Sequence, residues 1–293
     1  AQPMKVKKAI IPAAGWGTRL LPASKAIPKE MLPIVDKPGI QYIIEEVVAS
    51  ELKEIVLVTG QGKSCIEDHF DINRELENVL EKNGKQEILA GIREISRLVS
   101  ITSVRQKTQL GTGDAVLCAS QIAEGEPVAI LYPDDLIDSE IPVTRQLMDV
   151  ADNYDGGVIA IREVPDEDTH LYGIIEAEPI DDKLFLVKNI VEKPAPGTAP
   201  SNLAIIGRYV LPGVIFPILR ELQPSADGEI QLAAGLVDLS RQQKLYGYKF
   251  SGTRYDVGDK LGLVQATIGY ALKRPDLSPR LRQWLGKVIQ NEA

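Results

Sequence analysis

Short apolar runs recur along this chain, and most are followed by a longer stretch whose apolar residues return every third or fourth position. Residues 7–12 read as a buried strand, and 54–59, 100–105, 128–131 and 157–163 as further strands. Residues 40–49, 115–120 and 143–153 read as helices, and the polar stretch 63–98 as mostly helical. Strands that alternate with helices require crossovers of one hand and build a mostly parallel sheet. Downstream the period changes. Residues 172–177 and 184–191 flank an acidic turn at 179–182 and read as an antiparallel pair; 203–210 and 245–251 read as further strands. Residues 214–222, 230–241 and 260–274 read as helices, and 281–289 as a last helix suited to pack on a neighbouring subunit. The expected fold is α/β: a Rossmann-like, mostly parallel central sheet flanked by helices, with inserted antiparallel elements. With no repeat or linker, residues 4–293 are expected to form a single domain ending in a helical segment from about 259, with Ala1–Pro3 outside it.

Composition narrows the class. The chain has 293 residues, 44% hydrophobic and 25% charged, enough for one large core. No apolar run could span a bilayer, and no apolar leader core stands near Met4. Cys65 and Cys118 have no zinc or close disulfide spacing, so a cytoplasmic protein with two buried free thiols and no structural metal is expected. A net charge of -8 argues against a nucleic-acid partner. A small anion is still allowed, because local charge governs a pocket. Here Lys5, Lys7, Lys8, Arg19, Lys25 and Lys29 all precede the first acid, Glu30.

Two strand-then-glycine turns could hold that anion. The second, Gly60-Gln61-Gly62-Lys63-Ser64, ends like a P-loop, but the position that must be glycine is Leu57, inside a strand. It is expected to be a plain strand-to-helix turn. The first, Gly15-Trp16-Gly17, lacks the third glycine of a dinucleotide fingerprint, and Pro22, Pro28 and Pro33 interrupt any following helix. It reads as an extended, proline-stiffened ribbon that could wrap a triphosphate. Backbone N–H groups come close at the glycines, Arg19 offers a planar fork and Lys29 a point charge. Asp134 ends a strand beside Pro133, where parallel sheets bind ligands, and its carboxylate suits Mg²⁺. Asp135 is expected to face solvent or cap the turn.

Gly15-x-Gly17-Thr18-Arg19-Leu20-x-Pro22, with Lys29 and Pro33, resembles the signature of the sugar-1-phosphate nucleotidylyltransferases. The stretch 25–33 is similar to the uridylyl-transferring branch, and similarity continues at 55–59, 66–71, 132–134, 191–194, 199–204, 207–210, 229–232 and 255–258. The resemblance implies in-line attack of α-D-glucose 1-phosphate on the α-phosphorus of UTP, with Mg²⁺, giving UDP-glucose and pyrophosphate. It implies Arg19 on the β- and γ-phosphates and Lys29 near the α- and β-phosphates. Ala13, Ala14, Gly15, Gly17, Thr18, Gln106 and Gly111 would surround the nucleotide, with Gln106 at the pyrimidine edge. Gly173, Glu192, Lys193 and Asn202 would meet the sugar, Lys193 on its phosphate, and Asp134 with Asp256 would hold the metal. A homodimer or homotetramer is implied.

Uracil and thymine differ by one methyl, worth about 1–3 kcal/mol. From the residues, a thymidylyltransferase using dTTP therefore stays open, as does a non-catalytic regulatory paralogue. One departure stands out: Gly111-Thr112-Gly113-Asp114, where the pattern has Gly-x-Gly-His. Asp114 is expected either to alter the nucleotide end of the pocket or to cap a helix starting at Ala115. Trp16, large for its place, is expected to shield the phosphates.

Overall fold

The computed structural model describes residues 4–123 and 125–291. The expectations for Ala1–Pro3 and for the end of the domain at 292–293 lie outside the described residues. The strands are β1 (Lys8–Pro12), β2 (Pro33–Ile34), β3 (Lys37–Pro38), β4 (Glu54–Thr59), β5 (Ser100–Arg105), β6 (Val128–Leu131), β7 (Asp135–Asp138), β8 (Gly157–Glu163), β9 (Gly173–Pro179), β10 (Leu184–Glu192), β11 (Leu203–Leu211), β12 (Leu245–Lys249) and β13 (Thr253–Asp256). Nine of them form the central sheet in the order β5-β4-β1-β6-β11-β8-β12-β10-β9. Its β5-β4-β1-β6 half is wholly parallel. In the other half β8 and β12 pair in parallel, while β11 and β10 run against their neighbours. All but those two strands point the same way, so the expected mostly parallel sheet with antiparallel insertions is what forms.

The strand pattern follows from burial. β1 lies between β4 and β6, and its Ala9, Ile10 and Ile11 are fully buried. A strand covered on both faces reads as a continuous apolar run. Along β1 the faces still alternate. Ala9 and Ile11 pack with helices Gly39–Ala49 and Val143–Asn153, whereas Ile10 packs with Thr112–Cys118, Ile215–Glu221 and Leu232–Gln242. Burying each such isoleucine contributes about 1.5–3 kcal/mol.

Several local readings are corrected. The helix expected from Ala115 begins at Thr112, the stretch 63–98 divides into Ser64–Phe70, Arg74–Lys82 and Gln86–Ile95, and the strand expected over 245–251 stops at Lys249. The two-stranded β7–β13 sheet was not foreseen. Cys65 and Cys118 are free but only partly buried. The basic N-terminal stretch is split by the geometry of the strand. Lys7 and Lys8 stand at the N-terminal edge of β1 and both hold Glu126 at 2.8 Å. A strand rises about 3.3 Å per residue, so β1 separates them from the ribbon at its other end. They do not join an anion site.

Candidate active site

The ribbon leaves the C-terminal end of β1, where parallel sheets place their ligands. It is less extended than expected, forming three single 3₁₀ turns at Thr18–Leu20, Ala23–Lys25 and Lys29–Met31. Pro22 and Pro28 stand immediately before the second and third turns. Their fixed φ starts a turn, and the missing N–H stops it from growing into an α-helix. Gly17 has φ +68°, and a Cβ there would sit 3.0 Å from Cβ of Lys29. Both conditions select glycine. This close pass sets Lys29 beside the start of the ribbon.

The P-loop-like turn joins β4 to helix Ser64–Phe70, as expected, but Lys63 has a role that sequence reasoning missed. It is 7% exposed and turned inward. Its ammonium donates to the Ala13 carbonyl and to both oxygens of Glu30, at 2.9 and 3.1 Å. Burial pushes the Glu30 carboxyl up and the Lys63 ammonium down, each pulled back by the other. Gln109 Nε2 donates to the Ala14 carbonyl at 3.0 Å. The second glycine turn thus clamps the first loop. The one signal in the sequence was Glu30, a lone acid within a basic segment.

A second group gathers where β6 ends. Asp134 contacts Lys29, and Arg19 Nη2 lies 3.6 Å from its carboxylate. Arg19 Nη1 lies 3.9 Å from Asp256, so one guanidinium spans both acids. The unforeseen β7–β13 pairing causes this meeting: it sets Asp256 opposite Asp135, and the Val257 N–H donates to the Asp134 carbonyl at 2.8 Å. Desolvation raises the Asp256 carboxyl, with Arg254 opposing most strongly. Asp135 neither faces solvent nor merely caps the turn. It is 8% exposed, accepts from the Gly207 N–H at 2.9 Å and pairs with Arg254. Arg208, fully buried, bonds the Tyr132 and Asp135 carbonyls on either side of Asp134.

This donor set fits Mg²⁺ shared with phosphates. Asp134 and Asp256 offer hard oxygen donors, with Arg19 spanning both and Lys29 paired with Asp134. Among the described residues no cluster of three or more His, Cys, Asp or Glu is placed to hold a metal. Mg²⁺ keeps several waters and needs only one or two carboxylates beside substrate phosphates.

A cavity of about 720 Å³ opens beside these groups, lined by Arg19, Tyr132, Asp134, Tyr172, Gly173, Glu192, Lys193, Tyr209, Arg254 and Asp256, among others. The β9–β10 hairpin sets Gly173 opposite Glu192. A Cβ at Gly173 would come 2.9 Å from Glu192 Oε2, so a side chain there would dislodge that carboxylate. Desolvation raises the Glu192 carboxyl and Lys193 opposes it. Lys193 has φ +45°, a left-handed backbone in which its Cβ crowds the main chain, and its N–H donates to the Tyr172 carbonyl at 3.0 Å. Tyr132, Tyr172, Tyr209 and Arg254 were missed: nothing in their spacing pointed to this wall.

The structure leaves Asn202 off the cavity wall; its carbonyl accepts from the Val164 N–H at 3.0 Å. Ala13, Ala14, Gly15, Gly17, Thr18, Gln106 and Gly111 also lie outside the cavity lining. Ala13 and Gln106 bond neighbouring strand ends, their N–H groups donating to the Val58 and Thr59 carbonyls at 2.8 and 2.9 Å. Trp16 is 67% exposed on the ribbon. Asp114 does not cap a helix at Ala115; it lies inside the first turn of Thr112–Cys118.

The nucleotidyl transferase family pattern matches residues 8–271. The UTP--glucose-1-phosphate uridylyltransferase of Staphylococcus epidermidis is 50% identical over 281 residues, covering 96% of this chain and 98% of that protein. The crystal structure of a UDP-glucose pyrophosphorylase complexed with UDP-glucose is 40% identical, covers 92% of this chain and all of that one, and superposes with a TM-score of 0.84. A UTP-bound UGPase from Acinetobacter baumannii is 38% identical, covers 96% of this chain and 99% of that one, and gives a TM-score of 0.88.

Proposed function

This chain belongs to the nucleotidyl transferase family, and from that premise we propose that it transfers a uridylyl group from UTP to α-D-glucose 1-phosphate, giving UDP-glucose and pyrophosphate. The observation that carries the reading is the convergence of Arg19, Lys193, Asp134 and Asp256 on one cavity, facing Glu192 and Gly173. Both substrates are anions, so the obstacles are repulsion and misorientation. Fixed cations address both, since preorganised charge need not reorganise during the reaction. Arg19 stabilises charge on the departing pyrophosphate. Lys29, fixed beside the ribbon, lies near the α- and β-phosphates. Lys193 holds the attacking sugar phosphate. The Glu192 carboxylate accepts hydrogen bonds from hexose hydroxyls across the space that Gly173 leaves open. Asp134 and Asp256 would hold Mg²⁺, which supplies charge neutralisation at the phosphates. Ala13, Ala14, Gly15, Gly17, Thr18, Gln106 and Gly111 make up the nucleotide end, Ala13 and Gln106 directly following β1 and β5.

Among the described residues no helix is long and apolar enough to cross a membrane. We assign the protein to the cytoplasm, as a homodimer or homotetramer. The exposed Trp284 and Ile289 on helix Ser278–Asn291 support a subunit contact there.

Pyrophosphate release tests the reading. Among UTP, dTTP, CTP, ATP and GTP, each offered with glucose, galactose and mannose 1-phosphates, UTP with glucose 1-phosphate is expected to turn over fastest. Chelation of divalent cations should abolish turnover. Equal or faster turnover with dTTP would point to a thymidylyltransferase, and none with any pair to a non-catalytic paralogue.

A pH series tests the sugar end. A carboxyl raised by desolvation is ionised above its raised pKa and becomes neutral as pH falls through it. The KM for glucose 1-phosphate should therefore climb on the acid side from a higher pH than an ordinary glutamate would allow. Glu192→Gln should show a high KM at neutral pH and a flatter acid limb. The sugar phosphate's own titration acts on both proteins alike, so identical limbs would remove Glu192 from the sugar site.

A further inference from the structure

Asp114 falls where the family pattern has histidine, and the structure gives it a definite partner. Gln106 follows β5 directly and is 4% exposed. Its Nε2 donates to the Asp114 carboxylate at 2.7 Å and to the Gly111 carbonyl at 3.2 Å. Carboxylate and carbonyl oxygens only accept, so the amide cannot be reversed without losing both bonds. Its Oε1 must therefore face the other way. Among the described residues no donor meets that oxygen, and it is not a sealed, unsatisfied atom.

We propose that Asp114 is the positioning residue for base selection: by holding Nε2 of Gln106 it makes that side chain present an acceptor alone to the nucleotide base. This rests on the reading above, which places the pyrimidine at Gln106. An acceptor in line with N3 pairs with the N3–H of uracil. Cytosine has a lone pair at N3 and is repelled. Thymine shares the N3–H of uracil, so this device selects against cytosine and does not bear on the methyl group. Without Asp114 the amide loses its strongest anchor, for a hydrogen bond to an ionised acceptor is the stronger kind. The side chain can then rotate and offer Nε2 to cytosine N3.

The test compares the wild type with Asp114→Ala, Asp114→Leu and Asp114→Asn. Leucine is close in size to aspartate and has no acceptor, so it guards against misfolding of the smaller variant. Asparagine keeps one acceptor oxygen for Nε2. With saturating glucose 1-phosphate and Mg²⁺, kcat and KM are measured for UTP and CTP. Loss of one such bond is worth about a factor of ten. The Ala and Leu variants should raise the KM for UTP about tenfold at nearly constant kcat, and narrow the UTP-to-CTP ratio of kcat/KM by about the same factor. The Asn variant should restore most of both. Two results would overturn the inference: an unchanged UTP-to-CTP ratio, whether or not both nucleotides lose equally, or no recovery with Asn. A wild type that ignores UTP altogether would instead sink the proposed function on which this inference stands.

Discussion

Asp134→Ala is expected to lower kcat for UDP-glucose formation on the order of a thousandfold, because the metal would lose its central ligand at the phosphates. The structure adds a less obvious second half. Asp134 pairs with Lys29 and lies 3.6 Å from Arg19. Removing it frees both cations to meet phosphate oxygens. The KM for UTP should therefore stay level or fall while kcat collapses. That split marks an interaction needed in the transition state, not for binding. The cations that Asp134 leaves behind, Arg19 and Lys29, have side chains 61% and 16% exposed, so neither is sealed from water and the melting temperature should move little. Steady-state pyrophosphate release at saturating Mg²⁺ checks both halves. A kcat within tenfold of wild type would remove Asp134 from the metal site.

Arg208→Ala should produce the largest loss of stability. Arg208 is fully buried and pairs with Glu46 through Nε at 3.0 Å and Nη2 at 2.7 Å. It also donates to the carbonyls of Tyr132 at 3.1 Å, Gly207 at 2.9 Å and Asp135 at 2.7 Å. Glu46 accepts further from Thr144, through N–H at 3.1 Å and Oγ1 at 2.7 Å. Truncation strands the Glu46 carboxylate and leaves three carbonyls short of a donor. Breaking a buried pair from one side costs about 3–5 kcal/mol. For a chain of this size that lowers the melting temperature on the order of 10 °C. Activity should drop too, since the Tyr132–Asp135 turn that carries Asp134 loses its brace. Arg208→Lys should rescue little, because one ammonium cannot reproduce a fork bonded to four partners. Thermal melts of both variants provide the measurement. A loss below about 1 kcal/mol would show that the Glu46 charge finds another partner.

How much of this was legible residue by residue depended on the range of the force involved. β4, β6 and β8 could be read with their boundaries, because each is a short, mostly apolar run; β5, Ser100-Ile101-Thr102-Ser103-Val104-Arg105, could be read from its β-branched residues. β7 and β13 could not: Asp135-Leu136-Ile137-Asp138 and Thr253-Arg254-Tyr255-Asp256 are brief and half charged, and form only because each meets the other. The irregular ribbon after β1 was legible from its glycines and prolines. Its 3₁₀ turns were not, since the prolines exclude a helix without saying what replaces it.

By itself, then, the sequence determined the layered α/β fold, the ribbon and the kinds of charged side chain the chain can bring to a site. Those properties follow from local periodicity and side-chain chemistry, which a linear reading contains. Only the tertiary structure decided which charges meet. It sent Lys7 and Lys8 to Glu126 at the far edge of β1, turned Lys63 inward onto Glu30, brought Asp256 to Asp134 through β13, and joined Asp114 to Gln106. Hydrogen bonds and ion pairs act over a few ångströms in space, and residues distant along the chain come that close only after the apolar core has folded.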